Sequence, residues 1–507
     1  MQRTRRHSIK LRLRQTTGKL ASLIVLILGL VAQSSPAAAQ SSGITWSAPE
    51  NLSSTPQSSS SPAIIADDYG NVHVFWSEDV SGSLRPILAG SGDSIYYTRW
   101  DGTSWTPPVD ILYVPDDPIA DQMAVAVDKQ GFIHMVWTGL TNIYYSKARA
   151  TEAGSARAWQ EPAVISTSGA RTSLESSVVA DDAGNVHIVY ATRGDDPGVY
   201  QVESGDGETW SEPQKLSEPF DPLETSFSRV KIIADGAGRL HSVWQTSEIN
   251  GYGQAVYYAR SIDGGKTWAS PRRMAYRQPG DFDVSWPYIM AVGASDLHLI
   301  YTGGSAVGAL GRYEQVSSDG GETWSAPQHI LTAMIGINGY VVPVVDGAGQ
   351  LHLIINMRPV ATQVVGIYYS SWLGDRWSPV VPLVNDIPAA ESAHYTAVAV
   401  AHGNEIHIVW NQIRGGEIWH VRGVIQNVAA SKLEAVPTTV PSPTPVATDT
   451  MISTRITQSV SVNVNPELST TPINSAASSP LVPAVTASLV VIVIMAVVWR
   501  VRLRRRV

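Results

Sequence analysis

Residues 276–286 form the densest group of polar and aromatic side chains that lies outside the apolar segments of the chain. The group contains Arg277, Asp281, Asp283 and Trp286. An exposed Trp beside carboxylates suits a sugar, because the ring stacks on the sugar face and the carboxylates accept hydrogen bonds from its hydroxyls. We therefore expect a ligand here. A plainer interpretation stays open, since the surface loops of an acidic protein carry charges by default.

Other irregular segments carry further charged residues. Four arginines lie in residues 77–93, 191–198, 356–366 and 411–416, and are further candidates for ligand binding: Arg85, Arg193, Arg358 and Arg414. The segments that precede apolar strands add acidic residues and one more arginine: Asp116, Asp117, Arg171, Glu175 and Glu224. Whether these side chains meet depends on the elements that carry them.

Those elements are copies of one repeated unit. Its copies are marked by tryptophans spaced 51 to 59 residues apart, at Trp46, Trp105, Trp159, Trp210, Trp268, Trp324 and Trp377. Within a copy, runs rich in Val, Ile, Tyr and Trp are bounded by Gly and Asp, which predicts strands joined by turns. A period of this length is typical of propeller blades. The inner strands also number seven, starting near Pro62, Gln122, Ser177, Arg229, Pro287, Val341 and Tyr395.

The last unit ends after its third strand, at residues 417–422, without an outer strand. A matching strand exists at the other end, because residues 44–52 resemble the outer strand at 323–330. The N-terminal strand should therefore complete the last blade and remove the open edge of the array. We predict an all-β fold, a seven-bladed β-propeller of four-stranded blades over residues 40–430.

The turn that leads to each outer strand is clearest at residues 261–268 and 317–324. Its Asp can accept backbone hydrogen bonds, its glycines supply positive φ, and its Trp anchors the loop. Four copies keep both key residues: Asp101 with Trp105, Asp206 with Trp210, Asp263 with Trp268, and Asp319 with Trp324. The turn resembles the Asp-box, or bacterial neuraminidase repeat, of sialidase-like β-propellers, and the resemblance covers about 44–425.

For a true sialidase, this resemblance implies an arginine cluster that grips a sugar carboxylate, a Tyr nucleophile polarised by a Glu, and an Asp acid/base. The chain departs from that pattern in two ways. Residues 61–64 read Ser-Pro-Ala-Ile where the family has Phe-Arg-Ile-Pro, and seven blades replace six. No catalytic residue is therefore carried over. The Asp-box turns share a face with the turns between first and second strands, so the candidate loops lie on the opposite face.

Histidines and tyrosines recur at fixed positions of the unit. Seven of the twelve histidines share one position of the second strand: His73, His134, His187, His241, His298, His352 and His407. One per blade places them far apart, so we interpret them as structural rather than as a metal ring. Tyrosine pairs such as Tyr96/Tyr97 are interpreted as core. We predict no metal ion and no cofactor, and the absence of cysteine excludes thiolate sites.

The two ends of the chain predict export and anchoring. A basic stretch, an apolar run over residues 20–31 and small residues up to Ala39 indicate a signal peptide over 1–39. Residues 481–499 are uncharged and long enough to span a bilayer, and five arginines follow in 500–507. Between them, residues 431–480 have the composition of an extended stalk. We expect a single-pass cell-membrane protein with an extracellular propeller, one transmembrane helix and a cytoplasmic basic tail.

The net charge of the chain restricts the kinds of molecule that it can bind. The two ends hold twelve positive charges and no acids, so removing them from the net −8 leaves about −20 on the middle, which argues against nucleic acid. The first functional hypothesis is a displayed propeller that recognises a glycan or an extracellular protein without turnover. A divergent exo-glycosidase of sialidase type and a structural envelope protein are the alternatives.

Overall fold

A computed structural model describes residues 43–431, except for 81–91, 114–116, 118, 167–170, 194–195, 218–220, 223, 249–250, 307–309, 337–339, 385–392 and 413–415. The predicted signal peptide, transmembrane helix and basic tail, and the stalk from residue 432 onward, lie outside these residues. Within the described part of the chain, no helix is long and apolar enough to cross a membrane.

The strands form seven antiparallel sheets. Two short strands come first, β1 (Ile44–Trp46) and β2 (Glu50–Asn51). Blade 1 comprises β3 (Ser59–Ala66), β4 (Val72–Glu78), β5 (Ser94–Trp100) and β6 (Val109–Tyr113). Blade 2 comprises β7 (Asp121–Val127), β8 (Phe132–Thr138), β9 (Ile143–Arg149) and β10 (Ala163–Val164), with 3₁₀ turns at Ala150–Glu152 and Ala156–Ala158. Blade 3 comprises β11 (Arg171–Ala180), β12 (Val186–Arg193), β13 (Gly198–Ser204) and β14 (Gln214–Ser217).

The remaining blades follow the same order. Blade 4 comprises β15 (Ser226–Ala234), β16 (Leu240–Ser247), β17 (Gly253–Ser261) and β18 (Arg272–Tyr276). Blade 5 comprises β19 (Asp283–Val292), β20 (Asp296–Gly304), β21 (Gly311–Ser317) and β22 (Gln328–Ile330). Blade 6 comprises β23 (Met334–Ile335), β24 (Val341–Val345), β25 (Leu351–Pro359), β26 (Gly366–Ser371) and β27 (Val381–Val384). Blade 7 comprises β28 (Ala393–Ala401), β29 (Glu405–Gln412) and β30 (Ile418–Ile425).

The ring closes through the N-terminal segment, as predicted. Strand β1 pairs antiparallel with β30, with Ile44 opposite Ile425, and β2 continues along β30, with Glu50 opposite His420. The innermost strands β3, β7, β11, β15, β19, β24 and β28 contact one another in sequence, and β28 contacts β3. The prediction of a seven-bladed, all-β propeller is confirmed.

The core lies within and between the blades. Second strands are covered on both faces, so all seven residues of β4 are buried rather than alternate ones. Tryptophans of the Asp-box turns pack edge-on against a tyrosine of the preceding blade, with ring centroids 4.7 Å apart for Tyr145 and Trp210 and 5.0 Å for Tyr258 and Trp324. These contacts join neighbouring blades, which is the anchoring role expected for the Trp.

In several blades the repeated histidine links the second strand to the third strand and to the turn that follows the first strand. In blade 6, His352 Nδ1 lies 2.8 Å from Tyr369 Oη and its Nε2 lies 3.2 Å from Asp346 Oδ2, and all three side chains are buried. Blades 1, 2 and 4 repeat this arrangement around His73, His134 and His241. Among the described residues no cluster of three or more metal-ligating side chains occurs. In these four blades the histidine is therefore part of a buried hydrogen-bond network within its own blade.

The Asp-box turns have the expected chemistry. Asp263 accepts hydrogen bonds from the Thr267 N–H at 2.9 Å, the Thr267 hydroxyl at 2.6 Å and the Ser261 hydroxyl at 2.8 Å. Gly264 and Gly265 have φ of 73° and 87°. The bonds from Thr267 lower the pKa of Asp263 to about 2. The turn is therefore self-contained, with its carboxylate committed to the local backbone.

Candidate ligand-binding site

A cavity of about 240 Å³ lies where the innermost strands of all seven blades meet. Its wall includes residues from β3, β7, β11, β15, β19, β24 and β28, so we call it the axial cavity. Because each blade presents the edge of its first strand there, the side chains of seven separate repeats converge on one volume.

Backbone bulges direct these side chains. In five blades the first strand carries a register shift whose first extra residue has positive φ, between 45° and 55°: Ser61, Gln122, Arg229, Trp286 and Tyr395. Non-glycine residues rarely adopt this conformation, and bulges re-aim side chains near functional sites. The bulge is thus a shared device of the propeller for presenting one side chain per blade near the axis.

Two cations share one carboxylate at this site. Arg229 forms an ion pair with Glu175, and its guanidinium carbon lies 3.6 Å from the ring centroid of Trp286. Lys231 Nζ lies 3.8 Å from the second carboxylate oxygen of Glu175 and 5.9 Å from the ring centroid of Tyr288. The three charged side chains are 18%, 12% and 33% exposed for Arg229, Glu175 and Lys231. The cluster keeps one net positive charge.

Tyrosines complete the wall. Tyr288, Tyr340 and Tyr395 line the axial cavity, and the Tyr340 ring centroid lies 5.7 Å from that of Tyr395 and 4.9 Å from that of Trp286. Burial raises the pKa of all three, that of Tyr288 to about 12, so they are protonated at neutral pH. Burial, with Arg229 nearby, lowers the pKa of Lys231 to about 8. The cavity thus offers an ammonium group and aromatic walls.

A family model described as a BNR repeat-like domain matches residues 141–408, which is more than half of the chain. The chain belongs to the BNR repeat-like family. It is a sialidase-like BNR propeller, as its Asp-box turns led us to expect. No curated protein sequence matches it.

Solved structures are similar to this BNR repeat-like propeller at low sequence identity. The lectin BP39L from Burkholderia pseudomallei is 14% identical, with a TM-score of 0.53, over 74% of this chain and 98% of the lectin. A Dyadobacter fermentans protein of unknown function is 15% identical, with a TM-score of 0.48, over 76% and 100%. The NanB sialidase of Streptococcus pneumoniae is 12% identical, with a TM-score of 0.42, over 75% and 69%. These likenesses concern the fold alone.

One residue named from the sequence, Glu175, lines the axial cavity of the BNR repeat-like propeller, and a second, Trp286, packs against Arg229 beside it. The other members of the 276–286 group have local partners and do not line the axial cavity. Arg277 forms an ion pair with Glu248, and Asp281 accepts a hydrogen bond from the Gln278 N–H at 3.0 Å. Asp283 is buried and accepts from the Ser285 hydroxyl at 2.5 Å, and burial raises its pKa.

The four loop arginines are not brought together by the described residues. Arg358 lies in β25 opposite Ile335 and does not line the axial cavity. The main chain of Arg193 ends β12, but its side chain lies outside what the structure describes. Arg85 and Arg414 lie outside the described residues altogether. Glu224 accepts a hydrogen bond from Tyr257 Oη at 2.6 Å, with both side chains buried inside blade 4.

Sequence reasoning missed five site residues: Arg229, Lys231, Tyr288, Tyr340 and Tyr395. They lie on or beside the inner strands rather than in the irregular loops. One signal was present: β15 carries two cations two residues apart, Arg229 and Lys231, whereas the position equivalent to Lys231 is an alanine in β3, β7 and β28. A charge that interrupts an otherwise apolar strand marks a site.

Proposed function

We propose that this BNR repeat-like propeller is displayed outside the cell membrane and binds an acidic glycan in its axial cavity without cleaving it. Display rests on the sequence of the two termini. Ligand binding rests on one observation: Arg229, Lys231 and four aromatic side chains meet in or beside a single cavity. Cations recognise a carboxylate or sulfate, and aromatic rings stack on the sugar.

Binding without turnover is favoured because the carboxylate that lines the cavity is already paired with cations and is not available as a base for the cavity tyrosines. A Tyr nucleophile needs a base that removes its proton, whereas burial keeps the cavity tyrosines protonated. Among the described residues, Glu175 is the one carboxylate that lines the cavity, and it is engaged by Arg229 and Lys231. The Tyr257–Glu224 pair resembles a nucleophile and its base, but it is buried elsewhere and does not line the cavity.

A glycan array probed with the full-length chain tests the proposal. We expect signal on glycans that carry uronic or sialic acids, and a loss of about tenfold or more in Lys231→Met, which removes a charge-assisted hydrogen bond. Lys129→Met is the matched control, because Lys129 is an exposed lysine paired with Asp182. No signal on any glycan, or equal loss in both variants, would reject acidic-glycan binding.

Hydrolysis by a sialidase-type mechanism is the second candidate, and membership of a sialidase-like family favours it. Incubation with 4-methylumbelliferyl sialoside and glucuronide distinguishes the two. Release of fluorophore that is abolished by Tyr288→Phe would replace the binding proposal with an enzymatic one. If both the array and the hydrolysis assay are negative, the structural envelope role becomes the preferred account.

A further inference from the structure

A second cavity, of about 410 Å³, lies where blade 7 meets blade 1. Three separate segments build it: the N-terminal strands, the turn after β5, and β30. We call it the closure pocket, and its lining is Ser47, Glu50, Trp100, Thr103, Ser104, Trp105, His420 and Arg422. It lies at the Asp-box turn of blade 1 and shares no lining residue with the axial cavity.

Two tryptophans form an aromatic corner in this pocket. The rings of Trp100 and Trp105 have centroids 5.6 Å apart and planes tilted by 51°, and both are partly exposed. The Trp105 indole N–H donates to Glu50 Oε1 at 2.9 Å. The Trp100 indole nitrogen is buried and has no hydrogen-bond partner in the described part of the chain. Partly exposed indoles on a concave surface are the usual platforms for sugar rings.

Hydrogen-bonding groups surround the corner. Glu50 Oε1 also lies 2.9 Å from His420 Nδ1, whereas its Oε2 makes no hydrogen bond within the described residues, and half of the side chain is exposed. The hydrogen bond from His420 lowers the pKa of Glu50, which is therefore ionised. The Arg422 guanidinium carbon lies 5.2 Å from the Trp100 ring centroid, and its Nη1 lies 3.3 Å from Glu405 Oε2. Acceptor and donor groups thus flank the rings.

Blade 6 contains the same motif in a closed form. Trp372 and Trp377 have centroids 5.3 Å apart, and Trp377 donates to Glu314, which also bonds His298 at 2.8 Å. There the carboxylate comes from the third strand of blade 5 and is only 4% exposed. At the ring closure the carboxylate comes instead from the N-terminal segment and is open to solvent. Trp372 and Trp377 are partly exposed like Trp100 and Trp105, so the two copies differ in whether the carboxylate can reach a ligand.

We propose that the closure pocket is a second saccharide site, which takes a neutral pyranose. Its corner of indoles stacks on the apolar face of the sugar, while the free oxygen of Glu50 accepts from vicinal hydroxyls and the hydroxyls of Ser47, Thr103 and Ser104 line the rest. The ionised Glu50 repels acidic sugars, and Arg422 is already paired with Glu405. A bound sugar contacts blade 1, blade 7 and the N-terminal segment together, and so stabilises the closure of the ring.

The test titrates the full-length chain with methyl β-D-galactopyranoside, methyl β-D-glucopyranoside and methyl α-D-mannopyranoside. Saturation-transfer NMR and calorimetry measure binding, and the thermal midpoint measures stabilisation. We expect at least one glycoside to bind and to raise the midpoint. Trp105→Phe and Glu50→Gln should each weaken binding about tenfold, since the first removes indole area and the second removes the charge that accepts the sugar hydroxyls.

Two matched controls locate the site. Trp377→Phe alters the counterpart in blade 6, whose carboxylate is buried, and Lys231→Met alters the axial cavity, so neither should change the affinity for these glycosides. If none of the three glycosides binds, or if Glu50→Gln binds as tightly as the unmodified chain, the proposal is wrong. Loss of binding in Lys231→Met would assign the sugar to the axial cavity and also overturn it. Should Trp105→Phe fail to fold, Glu50→Gln decides alone, because Gln retains an acceptor for Trp105 and His420.

Discussion

Glu175 competes with an acidic ligand for the two cations of the axial cavity. It is bonded to Arg229 and lies 3.8 Å from Lys231 Nζ. Glu175→Gln preserves the shape of the side chain and its hydrogen-bond acceptor but removes the negative charge. The cluster then carries two positive charges instead of one, so we expect acidic sugars to bind more tightly.

The magnitude follows from Coulomb's law. Two unit charges about 5 Å apart interact by about 3 kcal/mol at an effective dielectric constant of about 20. The cavity is open and a third of Lys231 is exposed, so solvent and salt reduce this to roughly half. A gain of about 1.4 kcal/mol corresponds to about tenfold tighter binding. Raising the salt concentration should shrink the gain, because screening acts on the same charges.

Calorimetry with N-acetylneuraminic acid and glucuronic acid, with glucose as the neutral probe, measures the effect. Glu208→Gln is the matched control, because Glu208 is an exposed carboxylate of an Asp-box turn, 3.9 Å from Lys147. This variant should leave the affinities for all three sugars unchanged. Glu175 does not compete with the ligand if Glu175→Gln weakens the binding of acidic sugars, or if it strengthens the binding of acidic sugars and glucose equally. In that case Glu175 either contacts the ligand directly or supports Arg229.

Three further predictions concern pH and stability. Because the pKa of Lys231 is about 8, the affinity for acidic sugars should be constant below about pH 7 and should fall as pH rises through 8. Lys231→Arg should bind acidic sugars with the same affinity across this pH range, because arginine stays charged. If the affinity falls with pH in Lys231→Arg as well as in the unmodified chain, Lys231 is not the titrating group. His352→Phe leaves buried Asp346 and Tyr369 without their shared partner and should lower the free energy of unfolding, measured in urea, by about 2–4 kcal/mol. The control His329→Phe, at an exposed site, should lower it by less than about 0.5 kcal/mol. Equal effects of the two variants would contradict a structural role for His352. Burial lowers the folded-state pKa of six histidines below the unfolded value of about 6.5, so between the two pKa values the unfolded chain binds more protons than the folded chain. The free energy of unfolding should therefore be highest above pH 6.5 and should fall toward pH 4. A thermal midpoint that stays level from pH 7.5 to 4.5 would contradict this expectation. These histidines are His73, His134, His241, His352, His407, whose pKa falls to about 4, and His420.

The fold could be predicted because each blade repeats the same strand and turn sequences. The Asp-box turn at residues 261–268 depends on glycines and a short carboxylate, so it can be recognised from neighbouring residues alone, without knowledge of long-range contacts. The pairing of β1 with β30 could be predicted from a missing strand at one end and a surplus strand at the other. Comparison of the seven repeats identified equivalent strands, which the sequence of a single blade would not have done.

The site was harder to predict because it is assembled by long-range geometry. Arg229 and Glu175 lie 54 residues apart in the chain, on adjacent blades, and meet only when blade 3 and blade 4 pack against each other. The positive φ of residues such as Trp286 depends on a bulge opposite the second strand, which composition does not reveal. Arg277 and Asp283 had suitable chemistry, yet Glu248 and Ser285 already satisfy them.

The shortened turns show how a repeat diverges while its blade persists. The turn that begins at Asp101 lacks the paired glycines, and there two tryptophans pack together over Glu50. In the sequence, Asp101 and Trp105 mark this turn as one of the four Asp-box copies. Its distinct environment comes from the N-terminal segment, whose strand β2 lies beside β30.

A crystal structure of the full-length chain with N-acetylneuraminic acid or glucuronic acid bound would show directly where an acidic sugar binds. We expect the sugar in the axial cavity, with its carboxylate within hydrogen-bonding distance of Lys231 Nζ and its ring against Tyr288 or Trp286. An acidic sugar bound on the Asp-box face, with the axial cavity unoccupied at saturating concentration, would show that the axial cavity is not the binding site.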